Sequence, residues 1–120
     1  MAERVGPLNG VRAVTCSTAQ AGTVPYMMMA DLGAEVIKVE VPGVGDGSRT
    51  AGELRGEISS FFETNNRGVK SVTLDLKSAE GRKILHRLIE TADIFGQNFR
   101  PGAAEKNRVG YKALKQITPK

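Results

Sequence analysis

Ala30-Asp31-Leu32-Gly33-Ala34-Glu35-Val36-Ile37-Lys38-Val39-Glu40 reads as the end of a helix, a glycine stop and a buried strand. Gly33 suits the left-handed position just past a helix, and Glu35 to Glu40 is rich in Val and Ile and too short for a helix. The strand closes on a carboxylate, Glu40, at its C-terminal edge, where open α/β sheets bind ligands. Upstream, Val11 to Cys16 behind the Asn9-Gly10 turn signal predicts a first strand. Val24, Met27, Met28 and Leu32 then recur at helical spacing, with Pro25 expected in that helix's first turn.

Downstream, Pro42 to Gly56 holds five glycines and reads as a loop. Ser71 to Leu76 alternates like a strand. Ser78 offers an N-cap to a helix with Ile84, Leu85, Leu88, Ile89 and Ala92 along one face. Burying its large side chains is worth about 1.5–3 kcal/mol each before entropy is subtracted, so Leu88→Asp is expected to unfold this unit. Ile94 to Asn98 predicts a further short strand. Pro101 opens a brief helix through Lys106, and Tyr111, Leu114, Lys115 and Ile117 predict a last amphipathic segment stopped by Pro119. Strands alternating with helices imply right-handed crossovers. The expected fold class is therefore α/β, a Rossmann-like parallel sheet with flanking helices, whose edges need cover.

Bulk properties narrow the function. The 120 residues are 40% hydrophobic and 25% charged, enough for one soluble domain and without a membrane-length apolar run. The N-terminus lacks the apolar core of a secretory signal. A lone Cys16 excludes an intrachain disulfide and fits a reducing compartment, so a cytoplasmic location is expected. One His and one Cys cannot build a histidine/cysteine metal site, and no carboxylate motif replaces it; no metal is expected. His86 lies beside the apolar face of its helix and is read as partly solvated and structural, and no nucleophile-elbow string supports a Ser/His/Asp triad.

Residues 98–120 carry six basic side chains against one acid, Glu105. This points either to an anionic partner (nucleic acid, a phosphorylated cofactor or an acidic polypeptide surface) or to a solvated helical face. The basic residues lack an aromatic-interleaved nucleic-acid recognition motif.

Strand, turn, helix, strand and a terminal acid is also the dinucleotide-binding order, in which Glu40 would grip a ribose. The turn Ser17-Thr18-Ala19-Gln20-Ala21-Gly22-Thr23 holds one glycine, so the fingerprint that brings backbone to a pyrophosphate is absent.

Other strings resemble a different family. Pro7-Leu8-Asn9-Gly10-Val11-Arg12, Gln20-Ala21-Gly22, Ala30 to Glu40, Pro42-Gly43-Val44-Gly45-Asp46 and Asn66-Arg67-Gly68 occur in order. Lys70-Ser71-Val72, Leu74-Asp75-Leu76-Lys77, Glu80-Gly81 and Asn98-Phe99-Arg100-Pro101-Gly102 come after them. Together they resemble the N-terminal region of class III CoA-transferases, the CaiB–BaiF family, from Leu8 to Pro119. The resemblance implies that residues 1–120 are the N-terminal part of a large domain that binds coenzyme A. It implies acyl-CoA and carboxylate substrates, and a several-fold longer enzyme that forms an interlocked homodimer.

By position, the resemblance implies that Gln20 and Ala21 lie along the thioester end of the cofactor. Leu74 and Lys77 would flank the adenosine, Asn98 and Phe99 would line its groove, and Lys106 would stand near an arginine of the relatives, without its planar fork. Three departures stand out: Val41 for a cofactor-contacting arginine, Thr23 for a proline after Gly22, and Arg108 for a small residue.

The family's nucleophilic aspartate lies downstream of this stretch. None of Asp31, Asp46, Asp75 and Asp93 matches it. Asp31 and Asp75 are read as structural hydrogen-bonding groups and Asp46 as a loop or substrate-edge residue. Two other functions stay open: a non-catalytic binding or assembly module with a partner chain covering its sheet edges, and part of an α-methylacyl-CoA racemase-like enzyme.

Overall fold

The computed structural model of the protein describes residues 5–118. Pro119, the expected stop of the last helix, lies outside the described residues. The chain runs β1 (Arg12–Thr15), α1 (Ala19–Asp31), β2 (Glu35–Glu40), a 3₁₀ turn (Gly47–Thr50), β3 (Leu54–Arg55), β4 (Ile58–Ser59) and α2 (Ser60–Asn66). It continues through β5 (Lys70–Thr73), α3 (Ala79–Glu90), β6 (Ile94–Gly96), α4 (Ala103–Lys106) and α5 (Tyr111–Ile117).

Four strands form one sheet in the order β5-β2-β1-β6, each neighbouring pair parallel, as the alternation of elements predicts. The period of two divides the core between the sheet faces. Val14, Cys16 and Val39 pack against Leu85, Ile89 and Ala92 of the α3 region on one face. Ala13 and Val36 pack against Tyr26, Met29 and Ala30 of α1 on the other.

Gly33 stops α1 as expected. At φ 101° it donates to the Ala30 carbonyl (3.0 Å), while the next amide, Ala34, donates to Met29 (2.9 Å). That pairing satisfies the last carbonyls of the helix. The start of α1 differs from expectation. The helix begins at Ala19, so Pro25 stands in its second turn, with no N–H to give the Ala21 carbonyl. The longer helix also turns its stripe. Met27 is buried, but Met28 and Leu32 are exposed and Tyr26 and Ala30 face the sheet.

Ser78 caps α3 by accepting from the Gly81 amide at 3.0 Å. Leu85 and Ile89 form the centre of its buried face, and Leu88 is half-buried. Ile84, expected on that face, is 43% exposed.

The 42–56 segment is more ordered than a glycine-rich loop suggests. It holds the 3₁₀ turn, and β3 pairs with β4 in a short hairpin that leads into α2. The cause is charge. Val36, Lys38 and Glu40 share one face of β2, and Lys38 and Glu40 are 1% and 4% exposed. Unpaired charges at such depth are costly. Lys38 pairs with the equally buried Asp46 and donates to Asn66 Oδ1 at 2.9 Å. Glu40 takes Arg49 Nε and Nη2 at 2.8 and 2.7 Å, the Ser71 hydroxyl at 2.6 Å and the Asp46 amide at 2.8 Å. Arg49 lies over the Phe62 ring at 3.9 Å, which ties the turn to α2.

The Arg49 guanidinium, with Ser71 and the Asp46 amide, holds the Glu40 carboxyl down at about 2 against the cost of burial. Burial pushes Asp46 upward, and bonds from Lys38 and Ser48 more than reverse it.

A carboxylate whose folded pKa is depressed stabilises the fold above its unfolded pKa and loses that contribution as acid protonates it. Glu40 therefore contributes at most about 3 kcal/mol at neutral pH, lost between roughly its unfolded value near 4.5 and about 2. Urea titrations at stepped pH are expected to show that fall, and to show a shallower one for Glu40→Gln. An equal pH slope in the variant would contradict the assignment.

Arg108 adopts φ 57° where α4 ends. Its amide donates to Glu105 and that of Val109 to Ala104, the same closing pattern as at Gly33. A left-handed non-glycine residue is strained, so Arg108→Gly is expected to raise unfolding stability by about 1 kcal/mol, measured by denaturant midpoint.

Candidate functional site

The strand order reverses beside β1. The chain moves outward from β1 through α1 to β2 and β5, and α3 then carries it back to β6 on the far side of β1. Ligands of open α/β sheets bind outside the carboxyl ends of the strands at such a reversal. There the turn after β1 meets the turn after β6. Thr18 N–H donates to Asn98 Oδ1 at 2.9 Å, and Asn98 Nδ2 donates back to the Thr18 carbonyl at 2.8 Å. Gly22 permits this closeness, since a Cβ there would lie 2.5 Å from Asn98 Nδ2. The clamped turn is strained, with Ala19 at φ 57°.

Beside the clamp, at the tips of β1, β2 and β5, lies a cavity of about 150 Å³. Cys16 and Thr18 border it from β1, Val39, Glu40 and Val41 from β2, and Leu74 to Lys77 from the end of β5. Phe99 and Asn107 complete the wall. Ligand pockets commonly run to about 300–1,000 Å³, so this one has room for a single ring system rather than a whole nucleotide.

Leu74, Lys77 and Phe99, singled out from sequence, line this one cavity. Leu74 is buried and Lys77 exposed. Asn98 sits beside it, with its amide engaged by Thr18. Gln20 and Ala21 are exposed in the first turn of α1, just past Thr18. Lys106 is exposed at the end of α4, and its neighbour Asn107 reaches the cavity instead.

Sequence reasoning passed over Cys16, Thr18, Leu76 and Asn107. The signal for the first two was position alone, at the end of β1 beside the strand reversal. Cys16 is buried, and burial pushes its thiol up to about 12, so it enters as apolar lining and not as a nucleophile.

Glu40 borders the cavity but has both carboxylate oxygens engaged, which removes it as a ribose ligand. The aspartates are committed too. Asp31 pairs with Arg67 (2.6 Å), as a structural group should. Asp75 accepts from the Lys77 amide (2.9 Å) and Asp93 from the Arg12 amide (2.9 Å). Asp46, expected as a loop or substrate-edge residue, is fully buried with Lys38.

The basic residues after Asn98 do not gather into one surface. Arg108 joins a groove on α3, whereas Lys115 lies over Tyr111 on α5. His86 is half-buried and donates from Nε2 to the Arg108 carbonyl at 3.1 Å, consistent with a structural role. Among the described residues no helix is long and apolar enough to cross a membrane.

Comparison with known proteins agrees with this geometry. The sequence profile of CoA-transferase family III matches residues 8–120. Human succinyl-CoA:glutarate CoA-transferase is 38% identical over 116 residues, covering 96% of this chain and 26% of that protein. Acetyl-CoA:oxalate CoA-transferase of Acetobacter aceti is 36% identical over 115 residues, covering 96% and 30%. The crystal structure of a CaiB/BaiF family protein from Brucella suis superposes with a TM-score of 0.87 at 38% identity, over 94% of this chain and 31% of that one. The chain thus spans roughly a quarter to a third of the length of these relatives. On the profile match and the shared architecture, this chain belongs to CoA-transferase family III.

Proposed function

We propose that residues 1–120 form the N-terminal, CoA-binding part of an enzyme that transfers CoA between an acyl-CoA and a carboxylic acid. The observation that carries this reading is that Leu74 and Lys77, from the end of β5, and Phe99, from the segment after β6, line one cavity at the strand tips. The residues fit the cofactor. The cavity's apolar wall of Val39, Leu74, Leu76 and Phe99 suits the adenine ring, and Lys77 and Lys106 offer charge to its phosphates. Asn98 holds the Thr18 turn, which leaves Gln20 and Ala21 open to the thioester end.

When bound, CoA supplies the thiol that carries the acyl group as a thioester. The chain's own residues bind and orient it. The transfer itself is assigned to none of them, since none of the four aspartates stands where the family resemblance puts its nucleophile. The acid that does so belongs to the longer protein. A cytoplasmic homodimer of that protein is the assembly we favour, and the same half-site would serve a racemase-like relative.

A second reading, a non-catalytic assembly module, draws on one feature. β6 is an edge strand, and beside it a cavity of about 410 Å³ lies between α3 and α5, lined by Phe95, Val109 and Leu114 among others. Sizing chromatography separates the two readings. Assembly that ignores added CoA favours the module.

Calorimetry is expected to show saturable CoA binding by the chain. Phe99→Ala should weaken it at least about tenfold, roughly 1.4 kcal/mol, with the melting midpoint as the control for folding. No binding heat from the wild-type chain would remove the proposal. Mixed with an acyl-CoA and a free carboxylic acid, the chain alone is expected to give no CoA exchange, and robust turnover would refute its incompleteness.

A further inference from the structure

The turn that leads into β1 is fastened on both sides of its tip. Leu8 N–H donates to the Leu32 carbonyl at 2.9 Å, which holds the incoming chain against the end of α1. Val11 N–H donates to the Leu8 carbonyl at 3.0 Å, and the Val11 carbonyl accepts from the Glu35 amide at 2.9 Å. Asn9 and Gly10 are the central residues of the turn so closed. Gly10, at φ 88°, has the left-handed backbone that a type II turn requires there. Both residues are exposed.

The polar groups at the tip are uncommitted. Among the described residues neither the Asn9 side chain nor the Gly10 N–H has a hydrogen-bond partner. Nothing lies within 4 Å of the place a Cβ would take on Gly10. The other four asparagines differ. Asn65 and Asn66 donate to the carbonyls of Phe61 and Phe62, Asn98 is held by Thr18 through both amide atoms, and Asn107 is half-buried. Each of the four is followed by a residue with a long side chain.

We propose that the Asn9-Gly10 tip is a self-modifying site, at which the side-chain amide of Asn9 is converted to a carboxylate. The Gly10 nitrogen attacks Asn9 Cγ. A bond forms between them, the Cγ–Nδ2 bond breaks, and Nδ2 leaves as ammonia with the proton that Gly10 gives up. Water then opens the cyclic imide. Opening at Cγ leaves aspartate, and opening at the main-chain carbonyl leaves isoaspartate, with the backbone running through Cβ and Cγ. Water is the only co-reactant, and nothing is oxidised or reduced. The attack requires a nitrogen without a hydrogen bond and without a neighbouring Cβ, and Gly10 supplies both. Rotating the tip to bring the atoms together breaks the Val11–Leu8 bond, while the bonds to Leu32 and Glu35 keep the flanks in place.

The product carries charge into a crowded place. Asn9 borders a depression of about 330 Å³ at the N-terminal ends of the strands, shared with Arg12, Glu35, Thr91 and Asp93. Arg12 is already bonded to Glu35 and Thr91, so a new carboxylate joins two others whose cation is engaged. This end of the sheet is opposite the candidate cavity, and the proposal stands independently of any ligand there.

The wild-type chain and an Asn9→Gln variant are incubated in mildly alkaline buffer, folded and in denaturant. Peptide mass mapping follows each asparagine with time, and labelling by an isoaspartyl methyltransferase reports the isomer. In the folded wild type the Asn9 peptide is expected to gain acid and isoaspartate ahead of the other four, with neither at position 9 of the variant. Its rate is expected to stay within about a hundredfold of the denatured rate, because reaction through global unfolding alone would be slower by about a thousandfold or more. Asn9 intact in the folded chain while the denatured chain converts would mean that the fold shields the bond, and overturns the proposal. Conversion led by Asn65, Asn66, Asn98 or Asn107 overturns it as well.

Discussion

A strand covered on both faces has no room for bare charge, yet β2 carries Lys38 and Glu40 on its α1-side face. Their neutralisation by the next stretch of chain organises the fold from Val41 to Asn66. Asp46 and Arg49 have to come back over the strand to meet them, which converts a glycine-rich stretch into an anchored 3₁₀ turn. Asn66 and Phe62 are drawn to the same charges from α2. Buried ion pairs of this kind are weak contributors to net stability but costly to break singly. Their role here is to choose one path for the chain among the many that its glycines permit.

That choice decides what the strand tips have to offer. Glu40 is the acid that would mark a dinucleotide site, and it is wholly occupied in holding Arg49, Ser71 and the Asp46 amide. With it neutralised, the cavity between the ends of β1, β2 and β5 presents mainly apolar walls. At the opposite end of the sheet Glu35 does similar work in the open. It pairs with Arg12 and Lys70 at 2.6 Å each and so links β1, β2 and β5. One end of the strands is fixed by exposed pairs that contribute little each. The other is fixed by buried pairs that leave a cavity beside them.

Alternation and glycine stops placed β1, β2, β6 and α3 to within a residue or two, because each is short, strongly patterned and capped by a residue of the right type. The hairpin and α2 were not legible from residues alone. Ser60-Phe61-Phe62-Glu63-Thr64-Asn65-Asn66 has poor intrinsic helix formers and fewer than two full turns. It is helical because Ser59 caps it and its side chains reach the charges of β2. A signal did exist. In a doubly covered strand, period two puts Lys38 and Glu40 together on one buried face, and opposite charges in the next loop had to answer them. Family likeness singled out part of the lining of the candidate cavity. Leu74, Lys77 and Phe99 converge on the cavity, whereas Asn107 replaces Lys106 in its wall, a difference of one residue at the end of a single-turn helix.

Arg108 shows how local strain and site chemistry meet. The turn that closes α4 needs a left-handed residue, and glycine is the unstrained choice. An arginine at φ 57° gives up about 1 kcal/mol of stability. Left-handed non-glycine residues concentrate where function over-determines the backbone. In this chain the other such residue among those described, Ala19, sits in the clamped turn after β1. Arg108 borders the basic groove on α3, while its neighbour Asn107 borders the apolar cavity, so the strained turn stands where the two adjoin.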